Sequence, residues 1–355
     1  MSQSTTRSRK RDHSSSVSRS SGRTKTTTPY SGEFEQKLID RGMYPKGYRI
    51  VDGLRPPKPN NMSEICEILG RPRASLSPST FSAAVFEDFQ ETNESASSEM
   101  KAMAHVVPLI TGPSDCQFNS AADTAFHRLK KFDPELSVPK PDRYYGAKPA
   151  QIDGRVRREL NQYIIPSNRT DLPAAPSFFF EGKSASGRPD VAQRQAMYDS
   201  AVGARGILHL QNYGKPTQIH DGNAYTMSAT YHPGTGTLQM YATHPRESTK
   251  GETEYHMTQL GAYAMTNAPE TFRTGAAAYR NAREWTQRQR DRFISDANAA
   301  ALRTSTESVP ISRSESNPTT SLDAAGLSFD SETSTDELAL GHAVSAKRPR
   351  SSLSQ

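Results

Sequence analysis

The segment 177–183 (SFFFEGK) constrains the fold more than any other part of the sequence, because it places three consecutive phenylalanines directly before a Glu-Gly-Lys triplet. Three adjacent large apolar side chains are buried together most easily on a strand that is covered on both faces. The segment therefore predicts a central strand. Residues 190–210 follow as a predicted helix, with Pro189 and Asp190 well placed at its start.

The rest of the body mixes helical and strand patterns. Residues 224–231 and 238–242 alternate in hydrophobicity around the turn HPGTG, which predicts a β-hairpin. The apolar run 103–110 predicts another strand. Further helices are predicted over 33–41, 63–69, 81–89, 150–163, 252–265 and 269–302. This order predicts an α+β fold, with a small mixed β-sheet flanked by helices.

The two ends of the chain differ in composition from its body. The chain has 355 residues, only 34% of them hydrophobic, and a mean hydropathy of −0.75. Residues 1–29 are rich in Ser and Thr and hold seven basic residues against one acid, whereas the body is nearly neutral. Such segments cannot bury enough apolar surface to offset their loss of entropy on folding. We therefore expect disordered tails over 1–29 and 303–355, and a single α+β domain over 30–302.

The N-terminal tail also bears on the location of the protein. Its basic cluster, formed by Arg7, Arg9, Lys10 and Arg11, is typical of a nuclear localisation signal, so the nuclear import machinery is an expected partner. A solvated basic tail on a cytoplasmic protein is the alternative. The sequence contains no apolar run of membrane-spanning length, so we expect no membrane association. With only Cys66 and Cys116, neither a disulfide framework nor a zinc site of several thiolates is expected.

The residues best suited to chemistry are Asp142, after a proline, and the triplet Glu181-Gly182-Lys183. This is the PD-(D/E)xK pattern of metal-dependent nucleases. Glu181 and Lys183 lie two positions apart on a strand, so their side chains leave the same face. Asp142 on a neighbouring strand would supply a second carboxylate. Two carboxylates and the backbone carbonyl of Gly182 suit Mg²⁺ or Mn²⁺.

The predicted chemistry is cleavage of phosphodiesters in DNA or RNA, with Lys183 orienting the attacking water and stabilising the developing charge. The following helix offers Arg194, Gln195 and Tyr198 as supporting residues. In the alternative interpretation, Glu181 and Lys183 form a local ion pair at a strand end, and the helix face is simply solvated. The domain would then be a non-catalytic module that binds nucleic acid or protein on a degenerate nuclease-like fold. The oligomeric state is left open.

Two further patterns favour structural interpretations. Four histidines fall at intervals of twelve residues, but their neighbours do not repeat and the spacing does not match that of zinc ligands; they are His220, His232, His244 and His256. The last helix carries a series of arginines that acidic residues interrupt, which indicates a solvated face with ion pairs. These arginines are Arg280, Arg283, Arg288, Arg290 and Arg292.

Several blocks together resemble a family of filamentous fungi that is known only as a domain of unknown function. They include GEFEQKLIDRGMYP, SLSPSTFSAAVFEDF, PDRYYGA, FFFEGKSASG, RQAMYDSAVGARG and ETFRTGAAAYRNAREW. The resemblance covers about residues 30–302. It implies a fungal intracellular protein with disordered tails and brings no established activity. The restriction-endonuclease-like core is inferred from Asp142, Glu181 and Lys183.

Overall fold

A computed structural model describes residues 26–50, 53 and 55–307, without the side chains of 304–307. The described residues form a seven-stranded mixed sheet in the order β1-β7-β6-β5-β4-β3-β2. Its strands are β1 (Met43–Tyr44), β2 (Ser120–Ala122), β3 (Arg143–Ala147), β4 (Ala174–Gly182), β5 (Thr226–His232), β6 (Thr237–Glu247) and β7 (Thr253–Ala264). The α+β class and the mixed sheet are confirmed, although the sheet is larger than expected.

The helices lie on both faces of this sheet. They are α1 (Phe34–Asp40), α2 (Met62–Leu69), α3 (Ala83–Ser95), α4 (Glu99–Lys101), α5 (Val107–Thr111), α6 (Gly154–Glu159), α7 (Asn161–Ile164), α8 (Pro189–Gln211) and α9 (Pro269–Glu307). A π-helical segment, Ala102–Val106, joins α4 to α5. No helix in the described part of the chain is long and apolar enough to cross a membrane.

Strand β4 is buried along its whole length, as the three phenylalanines predict. It pairs antiparallel with β3 and parallel with β5. Phe178 and Phe180 pack into the core under α9, while Phe179 packs into the core under α8. Because side chains alternate along a strand, Glu181 and Lys183 leave β4 on the α8 side.

Helix α8 lies unusually close to β4. A Cβ atom on Gly203 would come within 2.6 Å of the Phe179 ring and 2.9 Å of the Pro176 carbonyl oxygen. Only glycine therefore allows this approach of helix to strand. This contact joins the second half of α8 to Pro176 and Phe179 of β4, and the first half of α8 extends toward the carboxyl end of β4, where the candidate site lies.

Two predicted elements are wrong. Residues 103–110, expected as a strand, belong to the π-helical segment and α5. A short apolar run does not distinguish a buried helix from a strand, and here the buried positions follow a helical spacing. Residues 252–265, expected as a helix, form β7, which pairs with β6 over nearly its full length. Tyr255 and Met257 both face the core on the α8 side, as expected for a strand. Polar residues elsewhere in the segment hid this alternation in the sequence.

The arginines of the last helix are not simply solvated, which corrects that interpretation. Arg280, Arg283 and Arg290 are all buried in α9. Arg283 contacts the carboxylate of Asp115, which also pairs with Arg143 of β3. The hydroxyl of Tyr145 donates to Asp115 at 2.7 Å and lies 3.1 Å from that of Tyr279. We call these five residues the Asp115 cluster; they are Asp115, Arg143, Tyr145, Tyr279 and Arg283.

The predicted tails lie mostly outside the described residues, as does the basic cluster Arg7, Arg9, Lys10 and Arg11. The described body begins before the expected boundary at residue 30, because Thr27 forms a bridge with Leu136. At the other end, α9 continues to Glu307.

Candidate functional site

The structure brings Asp142, Glu181 and Lys183 together at the carboxyl end of β4. The register pairs Arg143 with Phe180, which places Asp142 level with Glu181 on the neighbouring strand. The backbone N–H of Asp142 donates to Glu181 Oε1 at 3.3 Å, and that of Gly182 donates to Asp142 Oδ2 at 2.7 Å. The two strand ends thus hold two carboxylates side by side.

Lys183 is the positive charge at the centre of this group and is only 2% exposed. Its Nζ lies 3.4 Å from Glu99 Oε2, 3.7 Å from Asp142 Oδ2 and 3.9 Å from Glu181 Oε2. The ammonium also donates to the carbonyl oxygen of Gly182 at 2.6 Å. That carbonyl, expected as a metal ligand, therefore already accepts a hydrogen bond from Lys183.

Helix α8 adds a further carboxyl group, that of Asp199. Among the described residues no N–H or hydroxyl donor reaches Glu181 Oε2 or Asp199 Oδ2, although both atoms are buried. The contact between these two side chains raises the pKa of Glu181 and lowers that of Asp199. We call Glu99, Asp142, Glu181, Lys183 and Asp199 the acidic site.

Two of the three supporting residues that were predicted on α8 lie at the acidic site. Gln195 and Tyr198 line the same cleft as Asp142, and Gln195 Oε1 and the Tyr198 hydroxyl are buried without a partner among the described residues. Arg194 does not reach the site. Its guanidinium is 3.3 Å from the carboxylates of Glu35 and Asp190.

Burial dominates the electrostatics of these carboxyl groups. The pKa of Asp142 is raised to about 6, mainly by burial; the charge of Lys183 lowers it and that of Glu99 raises it. Burial likewise raises the pKa of Asp199 to about 7 and, with the charges of Asp142 and Asp199, raises that of Glu181 well above its usual range. Burial lowers the pKa of Lys183, but the surrounding carboxylates outweigh it and the net shift is upward.

The acidic site opens into a cleft of about 350 Å³. Glu99, Asp142 and Asp199 line this cleft, whereas Glu181 and Lys183 lie behind them. No group of three or more His, Cys, Asp or Glu in the described residues forms a ready metal site. The arrangement concentrates negative charge at the wall of an accessible cleft, with one cation behind it.

Residues 78–297 match the model of a domain of unknown function, DUF7924. The chain belongs to the DUF7924 family. The matched residues include every member of the acidic site, so the site lies within the DUF7924 domain. Comparisons with curated proteins and with solved structures find no match. The expectation of a domain of unknown function is confirmed, and the fungal origin stays a prediction.

Sequence reasoning missed two members of the acidic site of the DUF7924 domain. Asp199 lies one helical turn after Gln195, and this i, i+4 spacing was a usable signal. Glu99 precedes the run 103–110 that was misread as a strand, and no local pattern points from it to Lys183. Only the folded chain brings it within 3.4 Å of the ammonium.

Proposed function

We propose that the DUF7924 domain is a divalent-metal-dependent phosphodiesterase that cleaves nucleic acid. The observation that carries this proposal is the convergence of Asp142, Glu181 and Lys183 at one strand end beside an open cleft. Strand order adds support, because β2, β3 and β4 run antiparallel and β5 follows α8 parallel to β4. This is the order expected of a restriction-endonuclease-like core.

The donor chemistry fits a hard divalent cation. The oxygens of Asp142, Glu181 and Asp199 are carboxylate donors, and two of these side chains have an oxygen that no N–H or hydroxyl of the described residues reaches. Mg²⁺ usually binds to one or two carboxylates and completes its coordination with water and substrate phosphate. Asp142 and Glu181 would hold the ion, with Asp199 beside them. A bound cation would polarise the phosphate and lower the pKa of a coordinated water.

The chain's own residues divide the remaining work. Asp199, which lines the cleft beside the two carboxylates that would hold the ion and whose pKa burial raises to about 7, can accept the proton of the attacking water near neutral pH. Lys183 stays protonated and can stabilise the negative charge that develops as the P–O bond breaks. Gln195 Oε1 can accept a hydrogen bond from the water and the Tyr198 hydroxyl can donate one to the phosphate, since neither atom has a partner among the described residues. The products are a phosphate monoester and a free hydroxyl.

The test is hydrolysis of labelled single-stranded DNA, duplex DNA and RNA by the purified chain, with Mg²⁺ or Mn²⁺ added or removed by a chelator. We expect metal-dependent cleavage, reduced by about 10²-fold or more in Glu181→Gln and Lys183→Ala. Glu181→Gln keeps the size and shape of the side chain, so it tests the site even if Lys183→Ala does not fold. Lys250→Ala, an exposed lysine in the β6–β7 turn, is the matched control. Cleavage that survives both site variants, or a folded wild-type chain that cleaves none of the three substrates, would refute the proposal.

A further inference from the structure

Four aromatic rings form a ladder across β1, β7 and β6. The ring centroids of Tyr48 and Tyr44 are 4.6 Å apart, those of Tyr44 and His256 5.0 Å, and those of His256 and His244 5.4 Å. Strand register places Tyr44 beside His256 and His256 beside His244. We call these four residues the ring ladder. Two histidines whose spacing carried no meaning in the sequence thus meet across a pair of strands.

The histidines of the ring ladder are buried and uncharged. His256 is 3% exposed, and neither of its ring nitrogens has a hydrogen-bond partner among the described residues. Burial lowers the pKa of both His244 and His256 to about 4, so both rings are neutral at neutral pH. The Glu254 carboxylate lies 3.5 Å from His256 Nε2. The two histidines are therefore adjacent, neutral rings, and three of their buried nitrogens lack hydrogen-bond partners among the described residues, which is unusual in a protein interior.

Basic side chains surround this ladder. A cleft of about 500 Å³ is lined by Tyr44, Tyr48 and His256 of the ladder, and no acidic residue is among its described lining. Its basic lining residues are Lys46, Arg49, Arg55 and Lys58. A second cleft, of about 310 Å³, shares Lys58 and adds His244 and Arg246, with Asp221 and Glu247 as its acids. We call the two clefts together the basic groove.

We propose that the basic groove binds single-stranded nucleic acid. Proteins that bind single strands combine a positive groove for the phosphates with aromatic rings on which bases stack. Tyr48 is the partly exposed end of the ring ladder and offers its face to a base. Arg55 and Lys58 are exposed and lie where the phosphates would run. The Lys46 ammonium instead donates to Oε1 of Gln239 and of Gln259. A duplex, whose bases are already stacked on one another, could use only the charges.

This proposal rests on the proposed function, because it names the class of nucleic acid that the domain takes. The two regions are nevertheless distant. Glu181 of β4 pairs with Thr230 of β5, which pairs with Gln239 of β6. His244 lies five residues after Gln239 on β6 and pairs with His256 of β7, which is three strands from β4. Strand spacing and rise put Glu181 and His256 roughly 20 Å apart in the plane of the sheet. Glu181 faces α8. Tyr255 and Met257 also face α8, so His256 between them faces the opposite side of the sheet. Binding can therefore be measured apart from cleavage.

The experiment uses the full chain carrying Glu181→Gln, without divalent metal, and fluorescence anisotropy with labelled oligodeoxythymidine, oligoriboadenosine and a DNA duplex. We expect either single strand to bind more tightly than the duplex. Arg55→Glu combined with Lys58→Glu should weaken this binding by about tenfold or more. The slope of log affinity against log salt should become shallower by about 0.7 for each phosphate that the variant no longer neutralises. The matched control, Arg128→Glu with Lys148→Glu, reverses two exposed charges elsewhere and should change little.

Substitution of the exposed ring separates stacking from charge. Tyr48→Ala should weaken single-strand binding by about five- to one-hundred-fold, while Tyr48→Phe should bind like the parent. The proposal is overturned if the duplex binds as tightly as the single strands, or if the groove variants bind like the parent. If the wild-type chain cleaves nucleic acid but the groove variants bind normally, only the groove proposal fails. If the groove variants lose binding but the wild-type chain cleaves nothing, only the proposed function fails.

Discussion

Asp142 and Arg143 are neighbours at the start of β3, and each belongs to a different cluster of buried charged residues. Asp142 points to the α8 side and joins the acidic site, while Arg143 points to the α9 side and joins the Asp115 cluster. In the Asp115 cluster, one carboxylate is shared by two arginines and a tyrosine hydroxyl. In the acidic site, three carboxyl groups lie within 4 Å of a single lysine, and the fourth, that of Asp199, interacts with Glu181.

The two clusters differ in how well their carboxylate oxygens are satisfied by hydrogen-bond donors. Both oxygens of Asp115 receive donors. Nε and Nη2 of Arg283 have no hydrogen-bond partner among the described residues, but the guanidinium lies 3.9 Å from the centre of the Phe118 ring. The acidic site leaves carboxyl oxygens without N–H or hydroxyl donors among the described residues and holds pKa values far from normal. A cluster of the first kind stabilises a fold. A cluster of the second kind costs stability, and such groups concentrate at functional sites.

Removal of the shared acid of the Asp115 cluster should have the largest effect on stability. In Asp115→Ala, Arg143 and Arg283 lose the acid with which both of them pair and remain in low-dielectric surroundings. We expect the free energy of unfolding to fall by about 3–5 kcal/mol. Urea denaturation followed by circular dichroism measures this change.

Asp171→Ala is the matched control, since it removes the acid of an exposed Asp–Arg pair with Arg169. It should leave the denaturation midpoint almost unchanged. Equal effects of the two substitutions would mean that the Asp115 cluster does not differ from a surface pair.

Substitution of Glu181 in the acidic site should instead raise the free energy of unfolding. The folded pKa of Glu181 is raised above its unfolded value, so the folded chain binds a proton that the unfolded chain releases as pH rises. Stability from this group is present at low pH and is lost above about pH 4.5. Glu181→Gln removes the loss, so the stability of the variant should match that of the wild type near pH 4 and exceed it at neutral pH, by at most about 1.4 kcal/mol per pH unit above the unfolded pKa. Thermal melts at several pH values test this.

Asp190→Asn, on the same helix as Asp199, gives the opposite sign and serves as the control. The hydrogen bond from Arg188 lowers the pKa of Asp190, so this carboxylate adds stability above its unfolded pKa. The variant should therefore be slightly less stable than the wild type at neutral pH. A Glu181→Gln chain that is less stable than the wild type at pH 8 would contradict the contrast between the two clusters.

Glu99 should give the smallest effect, because its side chain is 41% exposed. Its charge is one of the causes that raise the pKa of Asp142. In Glu99→Gln we expect the pKa of Asp142 to fall from about 6 by less than about one unit, with a change in stability below about 1 kcal/mol. Carboxyl NMR titration reads the pKa, with exposed Glu94→Gln as the control. An unchanged pKa would place Glu99 outside the acidic site electrostatically.

The sequence pattern around β3 and β4 predicted the positions of Asp142, Glu181 and Lys183, because these depend only on strand geometry. The two-residue period of β4 placed Glu181 and Lys183 on one face, and a strand beginning after Pro141 brought Asp142 level with them. Glu99 was beyond prediction because its place depends on a helix that the apolar pattern of 103–110 did not distinguish from a strand. The ring ladder was equally hidden, since it requires the β6–β7 register, and 252–265 lacks a clear strand pattern.

The π-helical segment Ala102–Val106 sets the angular position of Glu99. A π-turn holds one residue more than the α-helical turn it replaces, and each residue of an α-helix advances about 100° around the axis. A shortening of this segment by one residue would restore regular α-helix and swing Glu99 about a quarter-turn away from Lys183. The reach of that carboxylate to the lysine thus depends on a single inserted residue, so chain length here is as much a determinant of the site as residue identity.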